Sequence, residues 1–230
     1  SVFMGESISE NAFSVKGIPD SSVLYWVKKT EAVTLLQPIA VFRVKITITE
    51  CLKNPGEVMN TIPQIIRDVQ NRHPDLNAQY YRQDKKSSFT PRTFTEFYQD
   101  CLDFGAGLLH LGLAGGEPVG LLSDNRREWT VADIGIQACG SPDVPRGRDI
   151  SDGEIRIIYG VTKSRFIIAE RDVECNRILN AKADLPDLKT VIVMEPPQDK
   201  MDAAGVDILT FEDVVALGKE YRVVHPSEIE

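Results

Sequence analysis

The sequence predicts an α/β protein built on a mainly parallel sheet with helices on both faces, and two observations lead to this fold class. From residue 117 to residue 220, short apolar segments alternate with amphipathic segments of helical length. The apolar segments, such as those in "PVGLLS" and "RFIIAE", are nearly continuous, which is typical of parallel strands covered on both sides. Strands separated by helices form βαβ units, so these residues are predicted to share one parallel sheet.

The segment before the sheet is predicted to contain two helices and a hairpin. In "NTIPQIIRDVQNRHPD", Asn60 or Thr61 caps a helix with apolar residues at helical spacing, and His73 marks its end. The strand "AQYYRQ", a turn at "DKKSS" and a short second strand predict a hairpin. Thr93 and Glu96 then form a capping box that opens the second helix.

The elements of the predicted sheet follow in order. Strands are predicted in "PVGLLS", "PDVP", "RFIIAE" and "TVIVMEPP". Helices are predicted in "RREWTVADIGIQACG", "SDGEIRIIYGVTK", "RDVECNRILNAKAD" and "TFEDVVALGKEY". Two of these helices carry a capping box, Ser151 with Glu154 and Thr210 with Asp213.

The chain is predicted to divide near Met59 into an unassigned extension, residues 1–58, and a domain, residues 59–230. The extension contains one predicted strand, at residues 40–49, and six acidic and six basic residues, so the net charge of −8 belongs to the domain. This acidic balance argues against nucleic acid as a partner. No apolar run reaches the roughly 18 residues of a membrane helix. We therefore expect a cytoplasmic protein without a transmembrane segment, with peripheral membrane attachment as the alternative.

The cysteines and histidines lack the spacing of a metal site or a disulfide framework. Four scattered cysteines form no C-x-x-C pair and are predicted to be free thiols in a reducing compartment: Cys51, Cys101, Cys139 and Cys175. Three histidines have no carboxylate or cysteine at ligand spacing and are predicted to be structural: His73, His110 and His225.

The segment "LLSDNRREWTVADIGIQACGSPDVPRG", residues 121–147, concentrates polar residues after a buried strand. Asn125 and Glu128 fit a capping box for the next helix. One face of that helix is predicted to be buried: Trp129, Ala132, Ile136 and Cys139. Arg126 and Arg127 lie at the helix N-terminus, which disfavours cations. They indicate either solvated arginines, the interpretation we favour, or an outside partner.

The sequence assigns no catalytic, cofactor-binding or metal-binding residue. "GLAGGEPVG" follows a helix and precedes a strand, whereas a phosphate-binding turn needs the reverse order. Ser123 ends a strand, but the G-x-S-x-G motif of a hydrolase is absent. Asp124 fits one acidic position of a two-component receiver, yet the late strands in "IIAERD" and "VIVMEPP" provide no terminal Lys. A receiver is therefore disfavoured.

Residues 59–230 resemble the N-terminal part of the adenylate-forming, AMP-binding superfamily, closest to the long-chain fatty-acid–CoA ligases. The matching segments are "NTIPQIIRDVQNRHPD", "TFTEFYQDCLDFGAGLLHLGL", "GEPVGLLSDNRREWTVADIGIQACG", "DVPRG", "RFIIAE" and "TVIVM". The block from Thr93 to Gly147 is the most specific part, and nothing in residues 1–58 contributes.

The resemblance implies a ligase that forms an acyl-adenylate from a fatty acid with ATP and Mg²⁺, and then transfers the acyl group to coenzyme A. The Ser/Thr/Gly-rich loop ending in Pro-Lys-Gly, which cradles the ATP phosphates in this family, is absent from the sequence, as are the later motifs. No functional residue is therefore transferred from the family. We expect an incomplete domain that does not bind these cofactors tightly alone.

Two functions remain open at this point. The first is the N-terminal fragment of a fatty-acid–CoA ligase, either one half of a split enzyme that needs a C-terminal remainder or a truncated product. The second is a non-catalytic α/β binding module that keeps the fold. Residues 1–58 are interpreted as an unrelated extension or as translated upstream sequence.

Overall fold

The computed structural model describes residues 61–82, 86–196, 203 and 205–229. The N-terminal extension and its predicted strand lie outside the described residues, so the division near Met59 stays a prediction. None of the described helices combines the length and the apolarity needed to cross a bilayer. The helices are α1 (Ile62–Arg72), α2 (Phe94–His110), α3 (Arg127–Ala138), α4 (Asp152–Val161), α5 (Asp172–Asn180) and α6 (Phe211–Val224), with a 3₁₀ turn at Lys182–Asp184.

Seven strands in the described part of the chain form a hairpin and a parallel sheet. The strands are β1 (Asn77–Tyr81), β2 (Thr90–Thr93), β3 (Val119–Leu122), β4 (Asp143–Arg146), β5 (Phe166–Ala169), β6 (Thr190–Val193) and β7 (Asp207–Thr210). Strands β1 and β2 pair antiparallel. The other five are all parallel, in the spatial order β4-β3-β5-β6-β7. The predicted fold class and the hairpin are confirmed.

Strand β7 was not predicted, because the sequence indicated only a helix beginning at Thr210. The strand pairs with β6 along four residues and forms one edge of the sheet. Asp207 is exposed, and Ile208 and Leu209 are only half-buried. Such a short edge strand lacks the continuous apolar run that marks the central strands.

The sheet separates two apolar layers, because successive side chains of a strand point to opposite faces. Leu121 and Ile168 belong to the layer beneath α2, α3 and α6. Leu122 and Ile167 belong to the layer that α4 and α5 cover on the other face. Helices on both faces of a parallel sheet make the three-layer α/β arrangement expected from the sequence.

Helix α2 packs closely against α3 on one side and α6 on the other, through glycines. A Cβ added at Gly135 would lie 2.8 Å from the carbonyl oxygen of Cys101. A Cβ added at Gly218 would overlap the carbonyl oxygen of Asp103. These contacts join backbone to backbone, so neither neighbour can move aside as a flexible side chain would. Glycine at these positions therefore sets the distance between the helices.

Four of the predicted helix starts, those of α1, α2, α4 and α6, are confirmed with their cap residues. Thr61, rather than Asn60, caps α1, and its hydroxyl oxygen accepts a hydrogen bond from the backbone of Gln64 at 3.3 Å. Helices α2, α4 and α6 each begin with both reciprocal bonds of a capping box: Thr93 with Glu96, Ser151 with Glu154, and Thr210 with Asp213. These helix starts depend on neighbouring residues alone, because the two partners of each capping box lie three residues apart in the sequence.

Candidate functional site

The carboxyl edge of the sheet has a switch point between β3 and β5. These strands are neighbours, but β3 connects through α3 to β4 on one side, whereas β5 connects through α5 to β6 on the other. The connections that follow β3 and β5 therefore lead away from each other. In open parallel sheets ligands bind near such a switch point, at the carboxyl ends of the strands.

Glu170 lies at this switch point, directly after β5, and is only 8% exposed. Its Oε2 atom accepts a hydrogen bond from the backbone N–H of Asp124 at 2.8 Å. The hydroxyl of Ser123 lies 3.1 Å from the same atom and 2.8 Å from the carbonyl oxygen of Asp124, so its single proton can serve either acceptor. One buried carboxylate thus connects the end of β5 to the loop after β3.

Arg148 adds the loop after β4 to this network. Its Nε atom lies 2.7 Å from Oδ2 of Asp124 and 3.2 Å from Oε2 of Glu170. The hydrogen bonds from Arg148 lower the pKa of Asp124 below its ordinary value. The two carboxylates and one arginine hold together the three loops that follow β3, β4 and β5.

A pocket of about 400 Å³ opens beside this network. It is lined by the loop after β3, the first turn of α3 and the end of β4: Ser123, Asp124, Asn125, Trp129, Pro145, Arg146 and Gly147. Trp129 is half-buried here and packs against the core, as does Cys139, while Ala132 and Ile136 of the same predicted face are fully buried. The pocket combines an indole ring with a guanidinium and an amide.

Helices α3 and α5, which follow the two switch-point strands, begin without a side-chain cap. The N-cap of α3 is Arg126 and not Asn125, so the predicted capping box with Glu128 is wrong. Glu128 instead accepts a hydrogen bond from the Nε of Arg126 at 2.7 Å. The N-cap of α5 is Arg171, which pairs with the buried Glu174 at 3.2 Å.

The two arginines at the start of α3 are partly exposed and have partners within the fold, whereas the interpretation favoured from the sequence was that they are solvated. Besides Glu128, Arg126 reaches Glu195 at the end of β6, with 2.7 Å between Nη1 and Oε1. The guanidinium of Arg127 lies 5.3 Å from the centre of the Tyr81 ring and 3.7 Å from Asp100. Both arginines tie elements of the fold together, and this accounts for cations at a helix N-terminus.

The other polar candidates have structural surroundings. The backbone N–H of His73 closes α1 on the carbonyl oxygen of Val69. His110 contacts the edge of the Tyr221 ring, and His225 stacks on that ring with its Nδ1 3.1 Å from Glu228. The glycine-rich turn lies between α2 and β3, at the amino end of the strand, as the sequence indicated.

The described cysteines are free thiols, in agreement with the sequence, while Cys51 lies outside the described residues. Burial raises the pKa of Cys139 and of Cys175 to about 12 and raises that of Cys101 as well. A thiol of such high pKa is not a nucleophile at neutral pH. Within the described part of the chain, no group of three or more His, Cys, Asp or Glu residues is arranged to hold a metal ion.

Glu170 and Arg148 were missed by the sequence reasoning, which weighed only Ser123 and Asp124 at this edge. A signal was present, because "RFIIAE" and "PVGLLS" both place a polar residue directly after a buried strand. Carboxyl ends of parallel strands share one edge of a sheet, but the spatial order of the strands decides which of them are neighbours. The described site thus combines a pocket with two carboxylates, one arginine and the hydroxyl of Ser123.

A sequence model of the family described as "AMP-binding enzyme" matches residues 66–217. The chain is 30% identical over 132 residues to the chloroplastic long-chain fatty-acid–acyl-carrier-protein ligase AEE15 of Arabidopsis thaliana, covering 56% of this chain and 18% of that protein. It is 24% identical over 160 residues to the long-chain fatty-acid–CoA ligase ACSBG2 of Xenopus laevis, covering 70% of this chain and 21% of that protein. The chain thus spans about a fifth of the length of these curated relatives.

Solved structures share the fold. The adenylation domain of a carboxylate reductase from Mycobacterium chelonae matches with a TM-score of 0.61 at 17% identity, over 75% of this chain and 31% of that one. The didomain of a carboxylic acid reductase from Segniliparus rugosus, solved with AMP, matches with a TM-score of 0.62 at 14% identity, over 71% and 27%. With the family match over more than half of the sequence, the chain belongs to the AMP-binding enzyme family.

Proposed function

We propose that this chain forms the N-terminal part of a ligase that activates a long-chain fatty acid as an acyl-adenylate and transfers the acyl group to a thiol. The observation that carries the proposal is the family match over residues 66–217. Relatives named as long-chain fatty-acid ligases, from Arabidopsis thaliana and Xenopus laevis, support the substrate class.

Chain length and acceptor are the finer parts of this proposal. A relative from Danio rerio, 33% identical over 120 residues, is named as a medium-chain acyl-CoA ligase. The Arabidopsis relative is named for an acyl-carrier protein and the Xenopus relative for CoA. We propose CoA and a long-chain acid, and we propose the cytoplasm as the location, although relatives include proteins named as chloroplastic and mitochondrial.

The described residues do not fit ATP and Mg²⁺. In the described part of the chain, no glycine-rich turn leads from a strand into a helix, and no cluster of residues is suited to a metal ion. We therefore assign nucleotide and metal binding to parts of the ligase beyond this chain. The contribution of this chain is the three-layer sheet and the pocket at its carboxyl edge.

The test is ATP–pyrophosphate exchange with Mg²⁺ and a long-chain acid, on the chain alone and with a C-terminal remainder from the same source. Exchange requires adenylate formation but no thiol, so it isolates the first half of the reaction. We expect exchange only when both parts are present, because stabilisation of the departing pyrophosphate needs oriented donors and a metal.

Parallel reactions with a medium-chain acid, and with CoA or acyl-carrier protein as acceptor, decide the finer parts of the proposal. Exchange by the chain alone would contradict the proposal that nucleotide and metal binding belong to other parts of the ligase. No exchange in any combination, with both parts folded, would contradict the ligase and favour a non-catalytic binding module.

A further inference from the structure

We infer that Glu170 is a positioning residue, whose carboxylate fixes the loops that form the walls of the pocket between the ends of β3 and β4. The role of that pocket in substrate binding rests on the proposed function. The inference itself concerns how this chain shapes the pocket, through contacts that can be measured without catalysis.

The first step is the direct contact between Glu170 and the pocket wall. Ser123 and Asp124 both line the pocket, and both contact Oε2 of Glu170. Glu170 itself is absent from the pocket lining, and its side chain is only 11% exposed. Because a buried carboxylate is stable only with donors around it, the loop after β3 is held where it supplies them.

The second step joins the opposite wall to the same carboxylate. Arg148 follows Gly147, the last pocket residue contributed by the segment after β4. Its guanidinium lies between Glu170 and Asp124, and its backbone N–H donates to Oδ1 of Asp124 at 3.3 Å. The distance between the two walls therefore depends on one ionic network, and Glu170 is its buried member.

Two other carboxylates near the same edge have different contacts. Glu174 is almost fully buried but pairs with Arg171 at the start of α5. Glu195 follows β6 and pairs with Arg126, and its side chain is 51% exposed. Neither Arg126 nor Arg171 lines the pocket. Glu195 is therefore a matched control, because it has the same chemistry at the same edge without a contact to the pocket walls.

The functional consequence follows from geometry. A substrate group held in this pocket is oriented by loops that have no regular secondary structure of their own. A displacement of about 1 Å in such a support can reduce a rate by about 100-fold. Glu170 would thus act on catalysis through Ser123 and Asp124, without touching the reacting atoms.

The experiment uses the full chain with Trp26→Phe, which leaves Trp129 as its single tryptophan. In this background we compare Glu170→Gln, which keeps an acceptor but loses the charge, with Glu170→Met, which loses both. Glu195→Gln and Glu195→Met are the matched controls. The measurements are hydrogen exchange of the Asp124 amide by NMR and acrylamide quenching of Trp129 fluorescence.

We expect the Asp124 amide to exchange about tenfold faster in Glu170→Met, the effect of losing one hydrogen bond, with Glu170→Gln between it and the wild type. Quenching of Trp129 should rise in the same order, and the Glu195 variants should match the wild type in Asp124 exchange, because Glu195 has no contact with Asp124. Wild-type exchange and quenching in folded Glu170→Gln and Glu170→Met would overturn the inference. Equal changes in the Glu170 and Glu195 variants would overturn it too.

In the assembled ligase, Glu170→Gln should raise the KM of the one substrate that occupies the pocket and leave the KM of the others unchanged. An unchanged kcat and unchanged KM values for every substrate in an active assembly would contradict the positioning role. The exchange and quenching results do not depend on turnover. An inactive assembly with the graded exchange effect would therefore count against the proposed ligase, while supporting Glu170 as the residue that holds the walls.

Discussion

Helices α2, α4 and α6 begin with a Ser or Thr that exchanges hydrogen bonds with an acid three residues later, whereas α3 and α5 begin with an arginine that caps nothing. The second group follows β3 and β5, the strands that flank the switch point. At these two starts, ion pairs of Arg126 and Arg171 take the place of the cap. The helix starts at the switch point thus depend on side chains brought together by the fold.

The difference separates two ways of beginning a helix. A capping box satisfies the first N–H groups within four consecutive residues, so it works wherever the segment lies. An arginine in this position is disfavoured by the helix dipole and becomes acceptable only when carboxylates surround it. Four measurements test this difference between capped and uncapped helix starts.

The largest effect tests whether a capped helix depends on its cap or on its packing. Gly218→Ala in α6 should lower the free energy of unfolding by about 3 kcal/mol, because the added Cβ would overlap a carbonyl oxygen of α2. The measurement is urea denaturation, followed by circular dichroism.

Gly153→Ala in α4 is the control, because its added Cβ would meet only the Ser151 hydroxyl, at 3.9 Å. This variant should be as stable as the wild type or more stable by about 0.5–1 kcal/mol. A similar decrease in the free energy of unfolding of both variants would show that the close packing of α2 and α6 does not cause the loss in Gly218→Ala.

The next effect concerns an uncapped helix. Arg171→Ala should cost about 2 kcal/mol, because it leaves the carboxylate of Glu174, only 3% exposed, without its charged partner. Much of the lost stability should return in the double variant Arg171→Ala/Glu174→Leu, which removes the buried charge. Additive losses in this double-mutant cycle would contradict the ion pair as the stabilising element.

A smaller effect is expected at the capped helices. Ser151→Ala and Thr210→Ala should each cost about 1 kcal/mol, since each removes the hydroxyl that accepts a hydrogen bond from the first turn. Ser151→Thr keeps such a hydroxyl and should lose less than Ser151→Ala. If the loss of stability in Ser151→Ala or Thr210→Ala changed when Glu170 or Arg148 was also substituted, these helix starts would not depend on neighbouring residues alone.

The smallest effect is a dependence of stability on pH. Hydrogen bonds from Ser151 and Thr210 lower the pKa of Glu154 and Asp213. A carboxylate with a lowered pKa in the folded state stabilises fully above its unfolded pKa, and this contribution is lost as the pH falls through the folded pKa. Unfolding free energies should therefore decrease below about pH 4.5, the ordinary value for Glu.

The matched variant for this measurement is Glu154→Gln, which should show a shallower decrease over the same pH range. Asp100 contributes in the opposite direction, because burial raises its pKa. Parallel curves for the wild type and Glu154→Gln would contradict the assignment of the pH dependence to the capping boxes.

Sequence reasoning was most accurate where the determinant lay within a few residues. Thr93 with Glu96 and Ser151 with Glu154 predicted helix starts that the structure confirms. The prediction for Asn125 had the same form and was wrong. The N-cap is Arg126 instead, and Glu128 accepts a hydrogen bond from the guanidinium of Arg126 and not from a backbone N–H of the cap. The pattern alone could not show this, since Arg126 is fixed partly by Glu195, which lies 69 residues further along the chain.

The sequence by itself determined the class of fold, the order of the central strands and helices along the chain, and the capped helix starts. Each of these follows from periodicity or from contacts between close neighbours in sequence. Only the tertiary structure decided that β3 lies between β4 and β5, which brings Ser123 and Asp124 to Glu170. The physical reason is that a buried carboxylate is stabilised by whichever donors the packed sheet places beside it, and these donors come from distant parts of the chain.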